Sequence, residues 1–286
     1  MKLELLNYPD ADKISFGTLK TFDISIDTMP DKRMRTIRVW LPDSYDGIRR
    51  FPVLYLHDGQ NLFAGLDERW KWFVEKEMQK VPDEAQVIIV GIDTCRTTRG
   101  EELCPAWPLS ERMKNGHHPV EKPLGDCYRD FVINTLKPLI DENFMTKPEK
   151  DFTGIGGSSM GGIQSYYMHT SRPDVFGRSL CFSIAFGVSE EAFILEQFDQ
   201  SKDAMKDDRM YIYTGGQTVD STIISGSINL YRRMESAGMD YRHVCLMIDS
   251  REPHFESAWQ KYFADGVRYL FMEDNSVMFP PTHPKK

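Results

Sequence analysis

Ser159 stands at the centre of Gly157-Ser158-Ser159-Met160-Gly161, a Gly-x-Ser-x-Gly pattern with only one workable register, since centring it on Ser158 would require glycine at position 160, where Met stands. A serine hydroxyl is a weak nucleophile near neutral pH and needs an adjacent base, most often a histidine oriented by a carboxylate. The pattern also has a steric meaning. A serine at the tip of a tight strand-to-helix turn is held in strained backbone geometry, and glycines on either side let strand and helix approach closely. The amide of Met160 then falls at a helix N-terminus, where unpaired N–H groups and the helix dipole hold an oxyanion.

Beyond Ser159, three histidines precede the tail: His169, His243 and His254. His169 lies about ten residues into the helix that starts at the serine and points away from it. His243 falls inside an expected strand, whereas His254 enters a loop after the last strand, where a base following the order Ser, acid, His belongs. For the acid, Asp220 follows a strand and precedes a helix. Asp249, on the same loop as His254, is the alternative, while Asp240 begins a strand and faces the opposite side. Upstream, His57-Asp58-Gly59-Gln60 occupies the loop expected to supply a second oxyanion donor, with Gln60 N–H the candidate and Met160 N–H its partner. His57 precedes the serine and is read as structural, and Asp58 as a hydrogen-bonding anchor of that loop.

Other chemistries find less support. His117 and His118 are adjacent rather than four apart, and no H-E-x-x-H occurs, so no metal site is expected. No Lys follows Gly161-Gly162 as in a phosphate-binding loop, and Gly154-x-Gly156-x-x-Ser159 lacks the third glycine of a dinucleotide fingerprint. The five cysteines are scattered without C-x-x-C spacing and are expected to be reduced thiols. A net charge of −8 disfavours nucleic acid and anionic membrane surfaces as partners. The first residues hold no apolar run of signal-peptide length and no segment approaches a membrane span, so a cytoplasmic location is expected unless a leader was removed.

The elements that must position these residues follow from periodicity. Residues 20–27 and 34–41 alternate apolar and polar as two strands joined by a turn at 29–32, and form an antiparallel hairpin. Residues 51–56 and 86–93 are apolar runs suited to strands covered on both faces, and the helix expected over 67–80 between them completes a βαβ unit. A long polar loop at 94–123 leaves the carboxyl end of a central strand, where ligands bind in open α/β sheets. A helix over 125–143 is weakened at Pro138. Strands at 178–186, 209–213 and 241–248 alternate with helices at 188–208, 221–237 and 255–271, and Gly238 is a C-cap. The 286 residues suit one α/β domain over 1–286 with a C-terminal tail at 272–286.

Residues 51–63 (Phe-Pro-Val-Leu-Tyr-Leu-His-Asp-Gly-Gln-Asn-Leu-Phe), 157–162 (Gly-Ser-Ser-Met-Gly-Gly) and 254–259 (His-Phe-Glu-Ser-Ala-Trp) resemble, in this order, the esterase D-like esterases of the α/β-hydrolase superfamily. Feruloyl and acetylxylan esterases of carbohydrate esterase family 1 and ferric-enterobactin esterases carry similar motifs, and the likeness covers roughly residues 15–271. It implies an α/β-hydrolase fold, a mostly parallel central sheet with an antiparallel N-terminal hairpin and helices on both faces. It implies a serine carboxylesterase with Ser159 as nucleophile, His254 as base and the amides of Gln60 and Met160 as oxyanion hole, working without cofactor. The family's acid follows a Gly-Thr-x-Glu/Asp turn, and here Gly216-Gln217-Thr218-Val219-Asp220 runs one residue out of step. Arg96, Arg99, Glu101 and Pro105 resemble a loop bordering the site in similar proteins, which makes Arg99, Glu102 and the nearby Trp107 candidate substrate contacts. The resemblance favours an acetyl or feruloyl ester of a small molecule or oligosaccharide as substrate. An acyltransferase on the same residues, a siderophore-ester hydrolase and a non-catalytic binding protein are the alternatives.

Overall fold

Alternation at the start of the chain resolves into two strands, β1 (Thr18–Ser25) and β2 (Met34–Leu41), paired antiparallel with Thr18 opposite Leu41 and Ser25 opposite Met34. The computed structural model describes residues 14–29, 33–65, 68–116 and 119–273. Residues 30–32 of the expected turn, Asp67, His117, His118 and the tail beyond 273 lie outside these. The apolar runs become β3 (Val53–His57) and β4 (Ile88–Ile92), every residue of which is buried. With β5 (Thr153–Ser158), β6 (Arg178–Phe182), β7 (Arg209–Gly215) and β8 (Val244–Asp249) they complete an eight-stranded sheet in the order β1-β2-β4-β3-β5-β6-β7-β8. From β4 to β8 all neighbours are parallel, while β2 meets β4 antiparallel.

Buried parallel strands send alternate side chains to two opposite layers, because successive Cβ atoms point to opposite faces. Val53 and Tyr55 enter one core and Leu54 and Leu56 the other, just as Cys181 parts from Leu180 and Phe182. The first layer packs against α4 (Gly125–Phe131), α5 (Lys137–Asn143), α6 (Met160–Ser171), α7 (Glu191–Ser201) and α8 (Ile224–Ser236). The second packs against α1 (Val74–Met78) and α9 (Glu256–Phe271). Helices on both faces of a mostly parallel sheet with an antiparallel N-terminal hairpin are the arrangement expected of an α/β-hydrolase. Two short helices, α2 (Arg99–Glu102) and α3 (Glu111–Asn115), interrupt the loop after β4. No helix among the described residues is long and apolar enough to cross a membrane, and all five cysteines are free.

Where the elements depart from expectation, tertiary packing overrides local propensity. The helix expected over 67–80 shrinks to a single turn at Glu68–Trp70 and to α1, because Trp72 N–H donates to Asn61 O (2.8 Å) and Val74 N–H to Leu62 O (3.0 Å). That detour buries Trp72 in the second core, 5.6 Å from the rings of Phe182 and Trp259. Burying such a side chain contributes about 2–3 kcal/mol, against a few tenths per residue for helix propensity. The expected helix 125–143 is continuous but widens to a π-turn at Val132–Leu136, immediately before Pro138, whose missing N–H and ring are incompatible with α-helical bonding to residue 134. The strand expected over 178–186 ends at Phe182, where Ser183 takes φ 47°. The one expected over 241–248 starts only at Val244, so His243 sits in the preceding turn beside Asp240 at the amino end of β8.

Candidate active site

Ser159 takes φ 59° and ψ −118°, a region that costs an L-residue free energy and is held only by its surroundings. Its N–H donates to Phe182 O (2.9 Å), while its carbonyl accepts from Ile163 and Ala185 N–H (3.1 and 3.3 Å). Glycine at 157 eases a close approach, since a Cβ there would stand 3.0 Å from the His57 ring and 3.1 Å from Gly161 Cα. The chain then enters α6, whose first amides, beginning with Met160, are those a helix leaves without intrahelical partners.

At the end of β3 the backbone turns through Asp58 (φ 58°) into the single turn Gly59–Asn61. A Cβ on Gly59 would lie 2.7 Å from both Asp93 Oδ1 and the Gly91 carbonyl carbon, so glycine lets this turn press against β4. The Gln60 side chain locks the turn from the other side, its Oε1 accepting from Thr94 N–H (2.9 Å) and its Nε2 donating to Thr94 Oγ1 (3.1 Å). Asp58 accepts from Thr94 Oγ1 (2.6 Å) and from Arg99 Nε and Nη2 (2.7 and 2.8 Å), which makes it the expected anchor of this loop. Burial alone would raise its pKa, but the Arg99 charge and hydrogen bonds outweigh that and hold the carboxyl below its ordinary range.

After β7, the turn Thr218–Thr222 carries Asp220, fully buried, and after β8 the loop carries His254, whose side chain is 17% exposed. His254 Nδ1 lies 2.5 Å from Asp220 Oδ1, and His254 N–H donates to Thr218 Oγ1 (3.0 Å). The other carboxylate oxygen of Asp220 accepts from Gly215 N–H and Ser183 Oγ, both at 2.7 Å. Trp259 Nε1 in turn donates to Ser183 Oγ (3.0 Å), and the Trp259 ring stands edge-on to the imidazole at 5.1 Å. His254 Nε2 is therefore the ring nitrogen facing away from the acid. Ser159 reaches this network through the backbone, being bonded to Phe182 beside Ser183, and its hydroxyl is not hydrogen-bonded to His254 in this structure. Such contacts are commonly long until a substrate is bound.

Asp249 is placed elsewhere. Arg251, Tyr262 and Lys261 hold its carboxyl well below the usual range and occupy both oxygens. Glu102 is fully buried and paired with Arg33 (2.7 Å) and Arg35, and it accepts from Thr98 Oγ1 (2.7 Å). Trp107 is buried, edge-on to Tyr166, Tyr167 and Phe193. Neither lines the cleft of about 740 Å³ that opens beside Met160, so both are corrected from candidate substrate contacts to parts of the packing. Arg99 does line it, but with its charge committed to Asp58. Sequence reasoning misses Ser183 and Trp259 as supports of the Asp220 carboxylate. No local pattern marks Ser183, whose positive φ arises only in the fold, while Trp259 carries a signal in closing the motif that begins at His254. No group of metal-ligating side chains occurs among the described residues.

The model of the family described as "Putative esterase" matches residues 28–267. The chain belongs to that esterase family. It is similar to the uncharacterized protein YbbA of Bacillus subtilis, 23% identical over 258 residues that cover 85% of this chain and 95% of that one. An endo-1,4-beta-xylanase/feruloyl esterase of Xylanibacter ruminicola is 27% identical over 150 residues, which are 51% of this chain and only 19% of that larger protein. Among solved structures, the BES protein from Bacillus cereus superposes with a TM-score of 0.70 at 14% identity, covering 94% of this chain and 98% of that one. The feruloyl esterase module from Clostridium thermocellum, an S954A mutant complexed with sinapinate, gives 0.65 at 15% identity with 96% and 97% covered. These two likenesses establish the α/β-hydrolase fold.

Elsewhere in the esterase a serine, a histidine and an aspartate are in hydrogen-bond contact, and burial disqualifies them for chemistry. His169 Nδ1 lies 2.8 Å from Ser179 Oγ and Nε2 3.1 Å from Asp208, all three fully buried at the far end of α6. His57 is likewise buried, with Nδ1 2.9 Å from the phenolic oxygen of Tyr128. Burial pushes the His57 pKa down from 6.5 to about 4. Between those values the unfolded chain binds a proton that the folded chain refuses, so stability is full above pH 6.5 and falls as the pH drops towards 4. The difference is on the order of 3 kcal/mol at most. Urea unfolding at about pH 7 and about pH 4.5 should therefore show a smaller acid loss for His57→Asn than for the native chain. Equal losses would remove His57 as the cause.

Proposed function

We propose that this esterase hydrolyses a carboxylic ester through an acyl-enzyme on Ser159, with His254 as base, Asp220 as its orienting acid and the amides of Gln60 and Met160 as oxyanion hole. The observation that carries the reading is the buried Asp220 carboxylate holding His254 Nδ1 at 2.5 Å, downstream of a serine at φ 59°. His254 Nε2 takes the Ser159 proton as Oγ bonds to the carbonyl carbon, and the two amides donate to the oxygen that becomes negative. Collapse of the tetrahedral species breaks the bond to the alkoxy group, which leaves with the imidazolium proton. Water then repeats both steps and restores the serine.

The favoured substrate is an acetyl or feruloyl ester of a carbohydrate. The naming of the Xylanibacter relative and the sinapinate-bound esterase module support that class. A panel of 4-nitrophenyl esters of increasing acyl length, methyl ferulate and acetylated xylo-oligosaccharide tests it, run beside covalent labelling with a fluorophosphonate. Turnover of at least one sugar or feruloyl ester, with the label on the Ser159 peptide, is the expected result. No turnover across the panel together with an unlabelled Ser159 overturns the reading.

A further inference from the structure

The cleft beside Met160 carries more positive charge than its surroundings use. Its wall includes Arg96, Arg99, Glu101, Arg112, Val120 and Met160, in a chain whose net charge is −8. The neighbouring carboxylates are taken: Asp58 by Arg99, Glu102 by Arg33 and Arg35, Glu111 by Lys114 and Asn115. Arg96 and Arg112 have no carboxylate partner among the described residues, and Glu101 is the single acid sharing the wall with them. Arg99 also keeps Nη1 free of its fork on Asp58, which uses Nε and Nη2.

The cleft these arginines line reaches Met160, the residue that follows Ser159. Ser110 Oγ donates to Gly187 O (2.6 Å) and Ser110 N–H to Val188 O (3.0 Å), which fixes α3 over the segment whose Ala185 N–H binds Ser159 O. The Arg112 guanidinium lies over Gly187, 3.5 Å from where a Cβ there would stand. Arg96 is two residues beyond Thr94, which is bonded to Asp58 and Gln60. Arg96 and Arg112 are exposed on this wall, and a planar donor fork there suits carboxylate or phosphate oxygens better than neutral ones.

Building on the ester-hydrolase reading above, we infer that the substrate is an ester carrying an anionic oxygen group, a carboxylate or a phosphate, and that Arg96 and Arg112 select it. The anion sits on either the acyl or the alcohol part, and matched pairs of esters separate the two. The acyl pair is 4-nitrophenyl hydrogen glutarate against 4-nitrophenyl pentanoate, and the alcohol pair is 4-acetoxybenzoate against its methyl ester. In at least one pair the anionic member should have the higher kcat/KM by about tenfold, mainly through KM, as expected for two partly exposed charge contacts. The preference should shrink between low and high salt, fall about tenfold in the double variant Arg96→Gln, Arg112→Gln, and rise in Glu101→Gln. Calorimetric titration of the Ser159→Ala variant with glutarate, 4-hydroxybenzoate and inorganic phosphate reads the same subsite without turnover. Binding of any of these that vanishes with both arginines supports the inference even if no ester is cleaved, which would sink the hydrolase reading alone. Neutral esters preferred in both pairs, or a preference and binding unmoved by the double variant, overturn it.

Discussion

Ser159→Ala should lower kcat for ester hydrolysis by about 10⁴- to 10⁶-fold, with KM and thermal stability close to native. The size of the effect follows from the absence of a substitute. Ser158, the neighbouring hydroxyl, lies on β5 and is buried, and Ser183 Oγ is committed between Asp220 and Trp259. Stability should hold because alanine keeps the Cβ that serine already carries at φ 59°, so the backbone strain is neither relieved nor increased. Oxyanion donors and substrate binding survive the change and leave the variant a residual rate of roughly 10³ over water. A variant within about tenfold of native kcat, on an ester the native chain cleaves well, would show that another group carries the acyl transfer.

Those parts of the site that depend on chain order and short-range sterics are legible in the amino-acid sequence. The Gly-x-Ser-x-Gly register, the two apolar runs before it and the position of His254 after the last strand all follow from local patterns, and the fold keeps each. The features that are not legible depend on partners far away along the chain. Glu102 looks like one charge of a polar loop until Arg33 and Arg35 arrive from β2 and the turn before it. Trp107 reads as an aromatic near a ligand until Tyr166 and Tyr167 of α6 enclose it. The helix over 67–80 is cut short for the same reason, since Trp72 is drawn to Phe182 and Trp259, which lie far downstream. The proposed acid presents an intermediate case. Asp220 runs one residue out of step with the family turn, and the chain accommodates it with Thr218 at φ 56°, whose hydroxyl also receives His254 N–H. Nothing in the local pattern asks a threonine to adopt that conformation, though the strand order points to the loop on which Asp220 meets His254.

Asp220→Asn and Asp249→Asn divide the two acids more sharply than geometry alone, and the first is expected to lower kcat about 10⁴-fold while the second stays within a few-fold of native. Asp220 Oδ2 already accepts two hydrogen bonds, from Gly215 N–H and Ser183 Oγ. An asparagine there must turn its carbonyl oxygen to those donors and its NH2 towards His254, since the reverse orientation would set N–H against N–H. Nδ1 of His254 then becomes an acceptor, the ring proton moves to Nε2, and the nitrogen needed to take the serine proton is already protonated. The loss should therefore appear in kcat rather than KM, and raising the pH should restore part of the rate, as hydroxide substitutes for the missing base. Asp249, by contrast, makes its contacts with Arg251, Lys261 and Tyr262 at the end of β8, and none of these side chains is bonded to His254. Its loss should change the stability of the β8–α9 connection and leave the pH–rate profile in place. If Asp249→Asn abolished turnover while Asp220→Asn kept the native profile, the 2.5 Å contact between Asp220 and His254 would be a structural bond, and the acid would have to be sought on the histidine's own loop.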